Sequence, residues 1–377
     1  AVATLTNSTI EYADQAIQLF EGGTATLTGA TIRSVRVGVE AEPADAMGSR
    51  EYDVWASGGL ALTDVVVTES YVVAYFNTPV PYTVDGDNSF SGNDFEAIFA
   101  HRGTWTVPAG PTVVWWFVNA AISDELVLEP GAVVKSQNRR RRVRQLTAVG
   151  TVDNPVVVTA YGDDTAGGDA NNNVSTAGPS QAGELEVIER ATVRYAEFRF
   201  GDAGGLRLDG SEGEGGMTAT VTDTDFVDAQ VGLYLASVGV TVSGSTFSGI
   251  GLYPVEVGVG VRGSIDPSAN AGLLSYLPTR FDITGTAGAA RRDTLYDVGL
   301  TYVLVAPARV REFAALTVNP GVVVKSDLYG IEVQGGGALS VEGTEAAPVV
   351  FTSWKDDSAG VPGDLNGDGN TTTPGPN

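Results

Sequence analysis

Short runs in which apolar and polar residues alternate recur along the chain, and Gly, Asn, Asp or Ser separates one run from the next. The first two runs align at a spacing of 22 residues, which pairs Leu5 with Leu27 and Ile10 with Ile32. A third run continues the series at Leu62, 35 residues beyond Leu27, because 13 extra residues intervene. Alternation with a period of two predicts β-strands, and the separating residues predict tight turns.

The spacing also predicts how the strands stack. A period near 22 residues is too short for a propeller blade, and the runs lack the helix of a leucine-rich repeat. It suits one coil of a parallel β-helix, in which successive coils pair at about 4.8 Å. Later in the chain, Val221 precedes Val242 and Phe226 precedes Phe247 by 21 residues each.

We therefore predict an all-β fold, a right-handed parallel β-helix (a solenoid) with loop insertions and long internal repeats. An antiparallel sandwich would have the same strand composition. The near-constant spacing of 21 or 22 residues counts against that alternative.

A longer unit of sequence occurs twice. It opens with LVLEPGAVVKS at Leu126–Ser136 and with LTVNPGVVVKS at Leu316–Ser326, 190 residues later. It continues through Gln145–Asp164 and Ala338–Asp357, which are 193 residues apart. Both copies then enter an acidic segment rich in Gly and Asn, GDANNNVS in the first and GDLNGDGN in the second. Repetition over this length is a statement about architecture.

The beginning of the chain also aligns with its middle, since Thr9 and Tyr12 match Thr192 and Tyr195 at an offset of 183. We therefore predict two long repeats, residues 1–183 and 184–377, stacked as one continuous solenoid. Because the chain ends in TTTPGPN without a cap, we expect its terminal coils to meet neighbouring repeats or subunits end to end.

Composition narrows the classes of function. The 377 residues include 46 acidic and 22 basic side chains, a net charge of −24. This charge argues against nucleic acid or an anionic membrane surface as a main partner, and it favours cations. The chain has no cysteine, and no apolar run is long enough to span a membrane as a helix. These features fit an exported bacterial protein with a long stacked core.

The second acidic segment, Gly363–Asn370, has oxygen-bearing side chains at alternate positions, as at the start of an EF-hand loop. Gly369 would allow the sharp bend that brings those oxygens together. The twelfth position of such a loop is Gly375 rather than Glu, and no flanking helices are expected, so the segment is not an EF-hand. We predict calcium binding here, with a solvated acidic turn as the alternative. The predicted ligands are Asp356, Asp357, Asp364, Asn366, Asp368 and Asn370.

The first acidic segment is a weaker candidate for the same chemistry. It keeps the alternate spacing, but Val174 replaces the glycine and an amide replaces one carboxylate. Weaker calcium binding, or none, is expected there. The candidate ligands are Asp163, Asp164, Asp169, Asn171 and Asn173.

Three further features have a functional and a structural interpretation. The run Arg139–Arg142 would dock an anionic glycan or an acidic subunit, or it neutralises nearby carboxylates at a corner of the coil. His101 is the only histidine, so no histidine-based metal cluster is expected, nor a catalytic role for His101. Trp55, Trp105 and Trp354 would stack on sugars or pack at the junctions between loops and coils.

The sequence PGVVVKS, followed by ALSVEGT, KDDS and GDLNGDGN, resembles the repeat of large secreted bacterial right-handed β-helix proteins. The acidic loop itself resembles the calcium loops of dockerins. The resemblance covers the unit from PGxVVKS to the acidic loop in both halves, and the other coils only generically. It implies an extracellular or cell-surface location, and it identifies a fold and a location better than an activity. Together with the acidic loops it leads us to expect a structural or adhesive module with calcium in those loops, and not an enzyme.

A rival interpretation is an enzyme, a polysaccharide lyase or hydrolase. Resemblance to parallel β-helix enzymes implies a carboxylate cluster and a basic residue on one outer face. The sequence offers carboxylates such as Asp223, Asp225 and Asp228, but no pair is singled out. A glycan-binding module without catalysis is a third possibility.

Overall fold

The chain divides into two compact units, each built from short parallel strands. The first unit comprises Ala1–Glu186 and Thr192–Gly205, and the second comprises Val187–Ala191 and Leu206–Asn377. The computed structural model describes residues 2–13, 15–19, 24–35, 37–41, 60–69, 72–76, 82–85, 88–91, 93, 95–100, 105–109, 112–115, 123–136, 141–168, 184–201, 205–212, 216–361, 363–366, 368–369 and 371–374.

Strands of the first unit pair in parallel with counterparts in the neighbouring coil. Leu5 lies opposite Leu27 and Ile10 opposite Ile32, as the sequence predicts. Leu27 lies opposite Leu62 in the next coil, so the insertion leaves the register unchanged. The described strands are Val2–Thr6, Thr9–Glu11, Gln15–Leu19, Thr24–Thr28, Thr31–Arg33, Val37–Ala41, Leu60–Thr63, Val66–Thr68, Val72–Phe76, Tyr82–Asp85, Ser89–Ser91, Phe95–Ala100, Trp105–Val107, Thr112–Trp115, Ser123–Leu128, Val133–Ser136, Arg141–Val149, Val156–Ala160, Ala196–Arg199 and Leu185–Arg194, the last divided between the two units.

The second unit follows the same rule. Val221 lies opposite Val242, and Phe226 lies opposite Phe247. Its described strands are Leu206–Asp209, Met217–Thr222, Asp225–Val227, Val231–Ala236, Val238–Ser243, Thr246–Ser248, Tyr253–Val257, Arg262–Ile265, Tyr276–Thr279, Asp282–Ile283, Arg291–Leu295, Thr301–Leu304, Ala308–Val310, Ala314–Val318, Val323–Ser326, Ile331–Val333, Ala338–Val341 and Val350–Ser353.

Like residues stack on like in the interior of the coils. The rings of Phe226 and Phe247 lie 4.9 Å apart between centroids and within 6° of parallel. Leu27, Val221 and Leu316 are completely buried. Each such side chain contributes about 1.5–3 kcal/mol by leaving water, so the ladders are the main source of stability.

The two PGxVVKS segments turn in the same way. Gly131 and Gly321, which follow Pro130 and Pro320, have φ angles of 82° and 84°. Residues other than glycine are strained in this left-handed region of the backbone, which explains the glycine after proline at both turns.

Helical structure among the described residues is limited to two single 3-10 turns, Gly210–Glu212 and Pro267–Ala269. Within this part of the chain, no helix is long and apolar enough to cross a membrane. The predicted all-β, parallel β-helical fold is confirmed, since the named pairings of both units are parallel.

We expect Phe226→Ala to lower the free energy of unfolding of the second unit by about 3–5 kcal/mol, because it removes a fully buried, stacked ring. Chemical denaturation followed by circular dichroism measures the change. Leu252→Ala is the control, since Leu252 is 60% exposed and its truncation should have little effect. Equal losses in the two variants would contradict the ladder as the source of stability.

Candidate functional site

The second acidic loop folds over the outer face of the sheet and covers Lys325. Strand alternation points Val322 and Val324 inward and Lys325 outward, yet Lys325 has no exposed surface. Its Nζ donates hydrogen bonds to the backbone carbonyls of Asp356 at 2.6 Å and Gly363 at 2.5 Å. A buried ammonium is costly unless it is hydrogen-bonded and paired, and here the loop supplies both kinds of partner.

The electrostatics of Lys325 reflect this covered position. Burial lowers its pKa, and the charges of Asp356, Asp357 and Asp364 oppose that shift. The ammonium thus lies among carboxylates at the base of the loop. We infer that the lysine acts as a fixed cation that ties two distant parts of the loop to the sheet.

Asp356 shapes the turn by which the loop leaves the sheet. Its Oδ2 accepts a hydrogen bond of 2.6 Å from the Thr352 hydroxyl. Its Oδ1 accepts hydrogen bonds from the backbone N–H and the hydroxyl of Ser358, at 3.0 and 2.5 Å. The hydrogen bonds from the side chains of Ser358 and Thr352 hold the pKa of Asp356 below its ordinary value. The carboxylate of Asp356 is therefore engaged inside the turn.

The first unit contains the same arrangement. Lys135 is completely buried, and its Nζ donates to the carbonyl of Asp163 at 2.7 Å and to that of Gly168. Asp163 accepts hydrogen bonds from the Thr159 hydroxyl at 2.6 Å and from the backbone N–H of Thr165 at 3.0 Å. The residue spacing between the two copies, 190 for the lysines and 193 for the aspartates, is that of the sequence repeat.

Asp163 has one partner besides those of the turn. Nη1 of Arg199, on the next coil of the first unit, lies 3.5 Å from its Oδ2. Burial raises the pKa of Asp163, but the hydrogen bonds from Thr159 and Thr165 and the charge of Arg199 outweigh burial and lower it. The coil that follows therefore completes the surroundings of this carboxylate.

Sequence reasoning assigned no role to Lys135 or Lys325. The signal was present in the VVKS motif, where a lysine interrupts an apolar run in both copies and an acidic segment follows both times. Alternation alone places the lysine outside the coil and predicts exposure. Only the folded loop reveals that it is covered.

Three carboxylates of the second loop converge beyond the lysine. Asp357, Asp364 and Asp368 each offer one oxygen, and these three oxygens lie within 4.8 Å of one another. The loop wraps around them, since the backbone N–H of Gly369 donates to Asp364 at 2.9 Å and that of Thr371 donates to Asp368 at 3.0 Å. Such a set of hard oxygen ligands suits a divalent cation of the calcium type.

The remaining predicted ligands have different positions. Asn366 lies beside the cluster, and its amide donates to Asp368 Oδ2 at 2.9 Å. Asp356 and Asp163 shape their turns, and Asp164 follows Asp163 in the first loop. Four predicted ligands lie outside the described residues: Asn370, Asp169, Asn171 and Asn173.

The other candidate features are resolved in part. Arg142, the last residue of the arginine run, has Nε 2.7 Å from a carboxylate oxygen of Glu186, as expected for neutralisation of a nearby acid. Trp105 is buried in the coil, so it packs and offers no face to a sugar. The rings of Trp354 and Tyr276 pack nearly perpendicular to each other, with their centroids 5.1 Å apart. His101 and Trp55 lie outside the described residues.

A second polar cluster crosses the outer face of the second unit. The Arg207 guanidinium lies 3.7 Å from the centre of the Tyr234 ring and 2.6 Å from Asp209 Oδ2. One strand further, Nε of Arg280 lies 2.5 Å from Oε1 of the buried Glu256. Each guanidinium of this cluster thus has a carboxylate partner. Burial raises the pKa of the Tyr234 phenol within this cluster.

Comparison with known families gives one match. Residues 288–373 match a family model described as a pectate-lyase-like β-helix domain. The match includes the last coils and the second acidic loop, but less than a quarter of the chain, so it supports the β-helix fold of this segment and no activity. Comparisons with curated proteins and with solved structures return no match.

The reactivity of the three lysines of the chain tests whether the acidic loops cover Lys135 and Lys325. We expect an amine-reactive acylating reagent to modify Lys355 in the folded protein about tenfold or more faster than Lys135 and Lys325, which have no exposed surface. Peptide mass spectrometry after a short reaction measures the three rates. The rates should converge in denaturant, and equal rates in the folded protein would show that the lysines are not covered.

We expect the turn at Asp356 to weaken in acid. Because the pKa of Asp356 is lowered on folding, its stabilisation is complete above the ordinary pKa of 3.8 and is lost as the pH falls through the lower folded value. Asp356→Asn should therefore lower Tm at neutral pH, and its difference from the wild type should shrink below about pH 4. Asp153→Asn, which removes an exposed charge, is the matched control. A difference that does not change with pH would contradict the assignment.

Proposed function

We propose that the chain is a structural or adhesive module of an exported surface protein, in which calcium holds the acidic loops against a β-solenoid. The observation that carries this proposal is the convergence of Asp357, Asp364 and Asp368 in a loop that is already fixed at its base by Lys325. A loop held in this way loses little further conformational freedom when it binds a cation, and that preorganisation favours binding.

The donor set defines the class of cation. The side chains are carboxylates with a neighbouring amide, and these hard oxygen donors suit calcium or magnesium rather than a soft metal. The two loop carbonyls that accept from Lys325 are already engaged, so the cation would draw on the carboxylates. Three carboxylates without a fixed octahedral arrangement suit calcium, which accepts irregular oxygen coordination, better than magnesium, which requires near-octahedral geometry.

The charge of the chain agrees with cation binding. A net charge of −24 gives the surface a strong attraction for cations. Extracellular modules bind calcium with dissociation constants of roughly 0.1–1 mM, which a partly formed site can provide. Adhesion, assembly with neighbouring repeats and contact with glycans are parts of this proposal.

We expect saturating calcium to raise Tm above its value in excess chelator, because a ligand specific to the folded state stabilises it by about 2.7 kcal/mol at one hundred times its Kd. The variant Asp364→Asn/Asp368→Asn should lose most of this shift, since two of the three converging carboxylates become amides. Asp153→Asn should keep it.

Differential scanning calorimetry of the full chain, with magnesium as a further comparison, measures the shift. Identical values of Tm in calcium and in chelator would overturn the calcium part of the proposal. If the double variant keeps the full shift in Tm, calcium binds at another part of the chain.

A polysaccharide lyase is the second candidate, favoured by the pectate-lyase-like match over residues 288–373 and by the carboxylates and guanidinium groups around Tyr234. Incubation with uronate polymers distinguishes the two, since elimination yields unsaturated products that absorb ultraviolet light. The structural proposal predicts no such product. Turnover that is lost in Arg280→Gln would replace it with the enzymatic function.

A further inference from the structure

The last described coil of the second unit exposes residues that continue its interior ladders. Leu339 lies opposite Leu316 and Val341 opposite Val318. Leu316 and Val318 are completely buried, whereas Leu339 and Val341 are 38% and 48% exposed. With the 47% exposed Phe351, these residues form an apolar surface, here called the end face.

The end face contains a groove. A groove of about 500 Å³ opens at this surface, and its lining includes Leu339, Phe351, Tyr329 and Ile331. Exposed apolar surface of this kind, on a coil whose other side is fully packed, is typical of an interaction site.

The sequence repeat identifies what covers such a face. The counterparts of Leu339, Val341 and Phe351, 193 residues earlier, are Leu146, Ala148 and Val158. All three counterparts are buried, at 1%, 0% and 6% exposure. The two coils share even their turn, since Thr151 N donates to Asn154 O as Thr344 N donates to Ala347 O, at 3.0 and 3.1 Å.

In the first unit, the cover is the coil that contains Thr192–Arg199. Its Ala196 and Phe198 lie opposite Val156 and Val158. Gly150 N donates to the Arg194 carbonyl at 2.9 Å, and Val156 N donates to the Tyr195 carbonyl at 3.1 Å.

The approach of this cover requires glycine at one position. A Cβ on Gly150 would lie 2.3 Å from the Tyr195 carbonyl oxygen, closer than any side chain allows. The counterpart on the second coil is Gly343, and the counterpart of Val156 is Val349. The end face thus keeps the glycine and the strand of the first coil, although the turn itself also requires this glycine, since a Cβ on Gly343 would lie 2.8 Å from Val349 N.

We infer that the end face is the docking surface for a parallel β-coil of the type that contains Thr192–Arg199, supplied by another β-solenoid module that begins with such a coil. Its Phe198 counterpart would pack on Phe351, and its Arg194 and Tyr195 counterparts would accept hydrogen bonds from Gly343 and Val349. Its Arg199 counterpart would approach Asp356, as Arg199 approaches Asp163 at 3.5 Å. This inference rests on the proposed structural function but does not depend on calcium.

The repeat supplies a covalent test. A second copy of residues 185–209 appended directly after Asn377 would preserve the spacing of 193, since 185 + 193 = 378. The chain has no cysteine, so Val341→Cys gives a single reporter thiol on the end face. The buried counterpart of Val341 is Ala148, which shows that the covered state has room for a small side chain there.

We expect the appended coil to slow thiol labelling of Val341→Cys by about tenfold or more, because labelling then requires local opening. Leu252→Cys, at a site 60% exposed and away from the end face, should label at the same rate in both chains. The control extension carries Asp in place of the counterparts of Val193 and Phe198, and it should leave Val341→Cys reactive.

Two results would overturn the inference. One is labelling of Val341→Cys that neither extension changes. The other is slow, concentration-dependent labelling without any extension, since a second copy of this chain would then be the occupant. Neither result bears on the calcium dependence of Tm, so failure of the end face and failure of the proposed calcium role remain distinguishable.

Discussion

Burial of each coil by the next is the constraint on which both units depend. A coil of about twenty residues cannot enclose its own apolar side chains, because its strands present their inner residues to the coils on either side as well as to one another. Leu27 is buried because a coil lies on each side of it, whereas Leu339 has a described partner on one side only. Stability, register and the apolar end face are all consequences of this one requirement.

The same constraint decides where extra sequence can go. An insertion that entered the stack would break the parallel pairing, so insertions have to leave at a corner and return in register. The pairing of Leu27 with Leu62 shows that the chain returns in register after a long insertion. The acidic loops are the clearest case, because Lys135 and Lys325 fasten them to the outer face of the sheets. Two of the three lysines of the chain are used in this way.

A single buried lysine anchors each acidic loop. The segment Asp356–Asp368 is acidic, and the whole chain carries an excess of negative charge. One buried ammonium gives the loop a positive anchor, and the turn at Asp356 satisfies its own carboxylate through Thr352 and Ser358. Three further carboxylates, Asp357, Asp364 and Asp368, converge within the same loop. A divalent cation would neutralise that remaining concentration of charge.

The sequence by itself determined the fold class and the register, because strand alternation and a constant spacing are local properties of the chain. The pairs Leu5–Leu27 and Phe226–Phe247 could be read from spacing alone, and the structure confirms them. The repeat of the acidic segments and their oxygen-rich composition were equally visible. Only the tertiary structure decided which carboxylates meet and which are used in turns, since Asp356 and Asp357 are neighbours in sequence with different surroundings. It also decided that the polar Lys325 is buried and the apolar Leu339 is exposed, the reverse of what their side chains predict. The reason is that burial depends on which part of the chain folds over a residue.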